Sequence, residues 1–111
     1  MRIRIVDLES TGFEPPEAKV CEIGWCDLVS NSLDLAGEPL DWTVEGGDTI
    51  LCDPGIPIPP EASAIHHIID DDVKGRPKFE DIVGRIVSDP AVEILAAHSA
   101  KFERLFILLG S

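Results

Sequence analysis

Basic residues are scarce in this chain of 111 residues, which has 9 lysines and arginines against 21 aspartates and glutamates. The formal net charge of −12 at pH 7 argues against a protein that holds nucleic acid by general basicity, because such a surface repels phosphates. If the partner is a polyanion, bound metal and a local basic patch must offset the repulsion. We expect most of the acidic side chains to be solvated and a smaller number to be functional.

Cysteines are also few. Cys21, Cys26 and Cys52 form no C-x-x-C pair, and an odd number fits poorly with a disulfide framework. Free thiols in a reducing cytoplasm are therefore expected. A zinc site built from these cysteines with His66 and His67 is the alternative, but the ligand spacing is wrong for it.

Long apolar runs are absent from the sequence, and no apolar signal region precedes the first predicted strand. Because a membrane-spanning helix needs about 18 or more mostly apolar residues, we expect no membrane association and a soluble, cytoplasmic protein. The 44% hydrophobic content suffices for a core. The length allows one small domain, 1–111, or part of one.

The strongest functional signal lies at the N-terminus, where an apolar run over 3–6 leads into the sequence DLESTG at 7–12. Alternate side chains of a strand share a face, so Asp7 and Glu9 should emerge on the same side, roughly 6–7 Å apart along the backbone. Two carboxylates this close favour a shared proton or a bound cation, and Mg²⁺ prefers oxygen ligands. An acidic turn without metal is the alternative, because these residue types are common where a strand leaves a sheet.

Hydrophobic alternation predicts strands over 2–8 and 19–29. In the second strand, simple alternation places Cys21 and Ile23 on the same face.

A third strand region follows. Alternating apolar residues over 40–44 extend a hairpin, Gly46 and Gly47 are expected to break it, and 49–52 should form a further short strand. Short connections between these early strands indicate an antiparallel arrangement.

The second half of the chain predicts helices. A short helix over 61–66 follows a proline-rich loop, and the acidic run 70–72 suits the start of a helical turn. A calcium loop at 70–72 would lack the required glycine and distal glutamate. The clearest helix is 78–88, and 92–97 is a buried strand that the crossover should make parallel to an earlier one. A last helix begins near Ser99.

Glu103 lies in the first turn of that last helix, at the edge of its apolar stripe. It is either an ordinary first-turn acid favoured by the helix dipole or a third carboxylate aimed at the end of the first strand.

Three segments together resemble the histidine-type, DnaQ-like branch of the DEDD 3′–5′ exonucleases. The segment 6–12 resembles the first family motif, Asp-x-Glu-Thr-x-Gly. The segment 57–68 resembles the stretch around the family's helical turn, and 97–103 resembles the second motif, Ala-His-Asn-Ala-x-Phe-Asp.

The resemblance implies an α/β fold with a ribonuclease-H-like mixed sheet, in which three antiparallel strands precede a parallel strand with flanking helices. It also implies hydrolysis of phosphodiester bonds from the 3′ end of DNA, with release of nucleoside monophosphates. Single-stranded DNA is the expected substrate. Two Mg²⁺ or Mn²⁺ ions per site would assist the reaction.

The resemblance also assigns residues. Asp7, Glu9 and Glu103 match the catalytic metal ligands, with Asp7 shared by both ions. The residues that would lie against the substrate are Leu8, Ser10, Thr11, Gly12, His66 and Ser99. For His66, a structural role in capping a turn is the alternative.

Some family features differ. Glu103 stands where the family has aspartate and Ser99 where it has asparagine, and the third motif, a histidine followed by an aspartate, is not found. We therefore expect 1–111 to be a truncated domain whose C-terminal part is missing, or a site completed by a second polypeptide. A catalytically silent relative that acts as a nucleic-acid or protein interaction domain is the third possibility. Self-association or a partner chain should then cover apolar surface, such as the face over 102–109.

Overall fold

The computed structural model describes residues 1–12 and 15–97. Ser99, Glu103 and the helix predicted to begin near Ser99 lie outside the described residues. Within the described part, no helix is long and apolar enough to cross a membrane.

A four-stranded mixed sheet organises the described residues, with the strands in the order β5-β2-β1-β6. The pairs β5–β2 and β2–β1 are antiparallel, and β6 pairs parallel with β1. This arrangement confirms the predicted mixed sheet. The strands of the fold are β1 (Arg2–Ser10), β2 (Val20–Val29), β3 (Ser32–Leu33), β4 (Pro39–Leu40), β5 (Thr43–Leu51) and β6 (Ile94–Ala97).

Three helices connect β5 to β6: α1 (Pro60–His66), α2 (Asp70–Val73) and α3 (Phe79–Val87). They confirm the three helical segments predicted there. Pro60 occupies the first turn of α1, where its missing N–H costs no hydrogen bond.

The packing of α3 decides which way β1 faces. The buried stripe of α3, which includes Ile82 and Val83, packs in one cluster with Val6 and Leu8 of β1. Because side chains alternate along a strand, Asp7 and Glu9 must point to the opposite face of the sheet. The core on one side therefore forces the two carboxylates to the other.

A bulge in β2 corrects one prediction. Glu9 pairs with Glu22, but Ser10 pairs with Val20, so Cys21 is the extra residue in the ladder. Cys21 consequently packs in a second cluster with Ile58, Ile68 and Val73, whereas Ile23 packs under α3. Their assignment to one face was wrong because a bulge shifts the alternation by one residue.

The prediction that two glycines break the third strand region was also wrong. Gly46 and Gly47 do not end the strand, since β5 runs continuously from Thr43 to Leu51. Cys26 pairs with Gly47 and Asp27 with Glu45, so Gly46 is accommodated as a bulge at φ 57°. The hairpin at residue 40 is also separate, because Pro39–Leu40 pairs with Ser32–Leu33 in its own small sheet.

A buried ion pair ties β1, β2 and α3 together at the end of β1 remote from Asp7. Arg4 donates to both carboxylate oxygens of Asp27, at 2.8 and 2.9 Å, and to the carbonyl oxygen of Ile86 at 2.8 Å. The hydrogen bond from Arg4 is the main reason that the pKa of Asp27 is lowered.

Candidate active site

Asp7 and Glu9 lie on the face of the sheet opposite α3, near the end of β1. Asp7 is exposed and Glu9 is half-buried. No ion pair among the described residues uses the Asp7 carboxylate. A carboxylate that is exposed and without an ion-pair partner there remains available to a cation.

Glu22 adds a carboxylate that was not predicted from the sequence. Its Cα is the register partner of that of Glu9, and directly opposed residues in an antiparallel pair share a face. Only the pairing of β1 with β2 brings Glu9 and Glu22 together. Their separation in the sequence does not predict that they are neighbours.

The strand β6 returns the chain to the same place. Ala97 is the parallel register partner of Val6, so β6 ends beside the residue that precedes Asp7. This placement brings residue 97, where the predicted second motif begins, next to the predicted first motif.

The turn that follows β1 is held by its own polar groups. The Ser10 hydroxyl donates to the carbonyl oxygen of Gly12. Thr11 donates its N–H to the Lys19 carbonyl oxygen at 2.9 Å and accepts the Lys19 N–H on its hydroxyl at 3.0 Å. Gly12 is tightly enclosed, because a Cβ there would lie 3.3 Å from Cβ of Ala18. These contacts hold residues 10–12 without any ligand.

A cleft of about 440 Å³ separates this turn from α1. Glu9 contributes to its wall, and no lysine or arginine of the described residues does. One wall is residues 8–12, and the other is formed by Pro59, Glu61, Ala62, Ile65 and His66. The lining is mostly apolar and includes the carboxylates of Glu9 and Glu61, which suits an apolar group joined to an anion that a cation neutralises.

His66 bridges the two walls. Its Nε2 lies 3.0 Å from the carbonyl oxygen of Ser10, and its Nδ1 lies 3.1 Å from the backbone nitrogen of Ile68. A carbonyl oxygen only accepts and a backbone N–H only donates, so the ring is neutral with its proton on Nε2. His66 therefore has the predicted role of capping a turn. Because both ring nitrogens have backbone partners, only the ring carbons are left to contact a ligand in the cleft.

Cys21 lies behind His66, with Sγ 3.8 Å from Nε2. Burial is the largest cause that raises the pKa of this thiol to about 12, and the charge of Glu9 adds to it. The thiol is therefore protonated at neutral pH. A nucleophilic cysteine–histidine pair, which needs a thiolate, is excluded.

The donor set suits a hard cation. Asp7 and Glu9 offer only carboxylate oxygens, the ligands that Mg²⁺ and Mn²⁺ prefer. Among residues 1–12 and 15–97, no group of three or more potential ligands forms a complete metal site. Among the described residues, Asp7 and Glu9 are the predicted ligands. The predicted third carboxylate, Glu103, lies outside those ranges.

Comparisons with known proteins show the family and the fold. The RNase_T family model, described as an exonuclease, matches residues 5–102. The DNA polymerase III subunit epsilon of Treponema pallidum (strain Nichols) is 31% identical over 101 residues, which is 91% of this chain and 42% of that protein.

Two solved structures share the fold. Exonuclease X in complex with 5′-overhanging duplex DNA matches with a TM-score of 0.67 and 26% identity, over 94% of this chain and 52% of that one. Escherichia coli exonuclease I in complex with a dT13 oligonucleotide matches with a TM-score of 0.65 and 14% identity, over 96% of this chain and 22% of the other. The chain thus spans about half or less of the length of these relatives.

Proposed function

This chain belongs to the RNase_T exonuclease family, and from that premise we propose that it takes part in metal-dependent hydrolysis of DNA from the 3′ end, with release of nucleoside monophosphates. The observation that carries the proposal is the position of Asp7 and Glu9. They share the face of β1 opposite α3, and Glu9 lines an apolar cleft of nucleotide size.

In this proposal, Asp7, Glu9 and Glu103 hold two Mg²⁺ or Mn²⁺ ions. When bound, such ions lower the pKa of a water molecule and neutralise charge on the phosphodiester. The acidic protein needs them for a second reason, because a polyanion would otherwise be repelled by a net charge of −12.

The chain's own contribution is to position the terminal nucleotide. The backbone of Leu8–Gly12, with Ser10 and Thr11 locked into their turn, forms one side of the nucleotide site, and Ser99 adds to it. The ring carbons of His66 and the apolar side chains of α1 form the other. Binding at a rigid surface lowers the entropy cost of bringing the phosphate to the reactive position.

His66 does not serve as the general base in this proposal. Both ring nitrogens are occupied by backbone partners, and a base needs a free lone pair within reach of the water. DNA is the proposed partner, since the structures of exonuclease X and exonuclease I contain DNA. A cytoplasmic location belongs to the same proposal.

The test is stepwise shortening of a 5′-labelled single-stranded oligonucleotide in Mn²⁺ or Mg²⁺, with the released mononucleotides identified by chromatography. We expect Asp7→Asn to abolish release and Asp71→Asn to leave it unchanged. Asp71 is a matched control, because it is an exposed aspartate in α2 that loses the same charge.

Two results would count against the proposal. Release that persists in excess chelator would exclude the metal mechanism. No release with any divalent metal, combined with oligonucleotide binding that Asp7→Asn leaves unchanged, would favour the non-catalytic interaction domain instead.

A further inference from the structure

Helix α1 is poorly secured by apolar contacts. It has seven residues and none of them is buried. Isolated helices shorter than about 12–15 residues are marginal in water, so its place beside β1 depends on specific tertiary contacts. Ala62 packs against the small cluster that contains Cys21 and Ile58, but Ile65 is 71% exposed.

A side-chain hydrogen bond from His66 supplies a direct link to the sheet. Its acceptor, the carbonyl oxygen of Ser10, belongs to the last residue of β1 and the residue after Glu9. The other ring nitrogen accepts from Ile68 within the turn that ends α1. One ring therefore spans from the end of the helix to the end of the strand.

We propose that His66 is a positioning residue that holds α1 against β1 and so sets the width of the cleft. The ring does this in its neutral form with the proton on Nε2. The positioning role is independent of any activity, and only its consequence for nucleotide binding rests on the proposed function.

Two variants separate the halves of the link. In His66→Gln, the amide nitrogen reaches as far as Nε2 and can still donate to Ser10, while the bond from Ile68 is lost. In His66→Asn, the amide oxygen reaches only as far as Nδ1 and can still accept from Ile68, while the bond to Ser10 is lost. His66→Ala loses both.

Amide hydrogen exchange, measured on the whole chain, tests each of the two hydrogen bonds of His66 separately. The N–H of residue 67 bonds to the Ser63 carbonyl oxygen at 2.7 Å and reports on α1, and the N–H of Ile68 reports on the ring. We expect the residue 67 amide to exchange about tenfold faster in His66→Asn and His66→Ala but not in His66→Gln. The Ile68 amide should exchange faster in His66→Gln and His66→Ala only.

His67→Asn is the matched control. It replaces the neighbouring exposed histidine at a left-handed position, φ 63°, that asparagine tolerates. It should leave both amides unchanged. Imidazole ¹⁵N spectra of the unaltered chain should show a protonated Nε2 and an unprotonated Nδ1.

Binding of dTMP in Mn²⁺ tests the consequence. We expect affinity within about twofold of the unaltered chain for His66→Gln and a loss of about tenfold for His66→Asn and His66→Ala. Failure of the unaltered chain to bind dTMP would count against the proposed function alone, because the exchange data still decide the positioning role. That role is overturned if His66→Asn keeps α1 protected while His66→Gln does not, or if the ring carries its proton on Nδ1.

Discussion

The Cα atoms of Glu9 and Glu22 are register partners in the antiparallel pair β1–β2. Like charges that face each other across a ladder destabilise it, so this pairing costs stability. The same negative charge attracts a cation to the face that carries Asp7. The structure thus places an unfavourable pair where a bound metal would offset the repulsion.

Replacement of Glu22 should separate these two effects. We expect Glu22→Gln to raise the free energy of unfolding by about 0.5 kcal/mol in chelator, because one repulsion is removed. Its Mn²⁺ affinity should fall about threefold through the lost negative charge. Urea unfolding measures the free energy of unfolding, and Mn²⁺ titration measures the affinity. Glu38→Gln, in the exposed loop before β4, is the control and should change neither quantity. Lower stability in chelator would contradict the account.

Acid should weaken the fold through Asp27. Because Arg4 lowers the pKa of Asp27 in the folded protein, the unfolded chain, with an aspartate pKa of about 3.9, takes up the proton first. The stabilisation is therefore present above that pH and is lost as the pH falls through the lower, folded pKa.

We expect Asp27→Asn to cost about 3 kcal/mol at neutral pH, since it leaves the buried Arg4 guanidinium with only its longer ion pair to Asp89, at 3.4 Å. Its stability should then fall less steeply in acid, as measured by urea unfolding between neutral and acidic pH. Glu45→Gln is the control. It removes the exposed partner of Arg2 and should cost less than about 1 kcal/mol. Parallel acid profiles for Asp27→Asn and the unaltered chain would refute the prediction.

The three thiols should differ in reactivity. Cys21 and Cys52 are 0% exposed, and burial is the largest cause that raises their pKa values to about 12 and about 11. Since the thiolate is the reactive form, a disulfide reagent at pH 8 should modify only half-buried Cys26 rapidly. All three should react in denaturant, and Cys26→Ser should remove the fast phase. Rapid modification of two thiols in the unaltered native protein would contradict the burial of Cys21 and Cys52.

Two glycines should respond to alanine in opposite directions. At Gly47, with φ 152°, a Cβ would collide with the carbonyl oxygen of Trp25 and lie 2.9 Å from Cα of Cys26. Gly47→Ala should therefore destabilise the protein by about 2 kcal/mol or more. At Gly84 in α3, nothing lies within 4 Å, and Gly84→Ala should stabilise it by about 0.5–1 kcal/mol. Thermal unfolding of both variants tests these predictions. Equal changes in the melting temperature of the two variants would contradict them.

Local patterns predicted the elements that follow ideal periodicity. Alternation in β1 placed Asp7 and Glu9 on one face, and the helical spacing of Phe79, Ile82 and Val83 identified α3. These predictions succeed because each depends on residues within a few positions of one another.

Features that depend on a partner strand were not predicted. The bulges at Cys21 and Gly46 shift the alternation, and neither can be recognised without knowing what lies across the ladder. The same is true of Glu22 opposite Glu9. The link from His66 to Ser10 joins residues 56 positions apart. The predicted metal ligand Glu103, the substrate contact of Ser99 and the extent of the domain stay predictions.

Titration with Mn²⁺, followed by electron paramagnetic resonance, tests most directly whether the two carboxylates of β1 bind a divalent cation. The account predicts that the unaltered chain and Asp71→Asn bind Mn²⁺ with similar affinity. Asp7→Asn and Glu9→Gln should each weaken that binding by tenfold or more, since a neutral amide lacks the negative charge that attracts the cation. Equal Mn²⁺ binding by all four proteins would contradict the account.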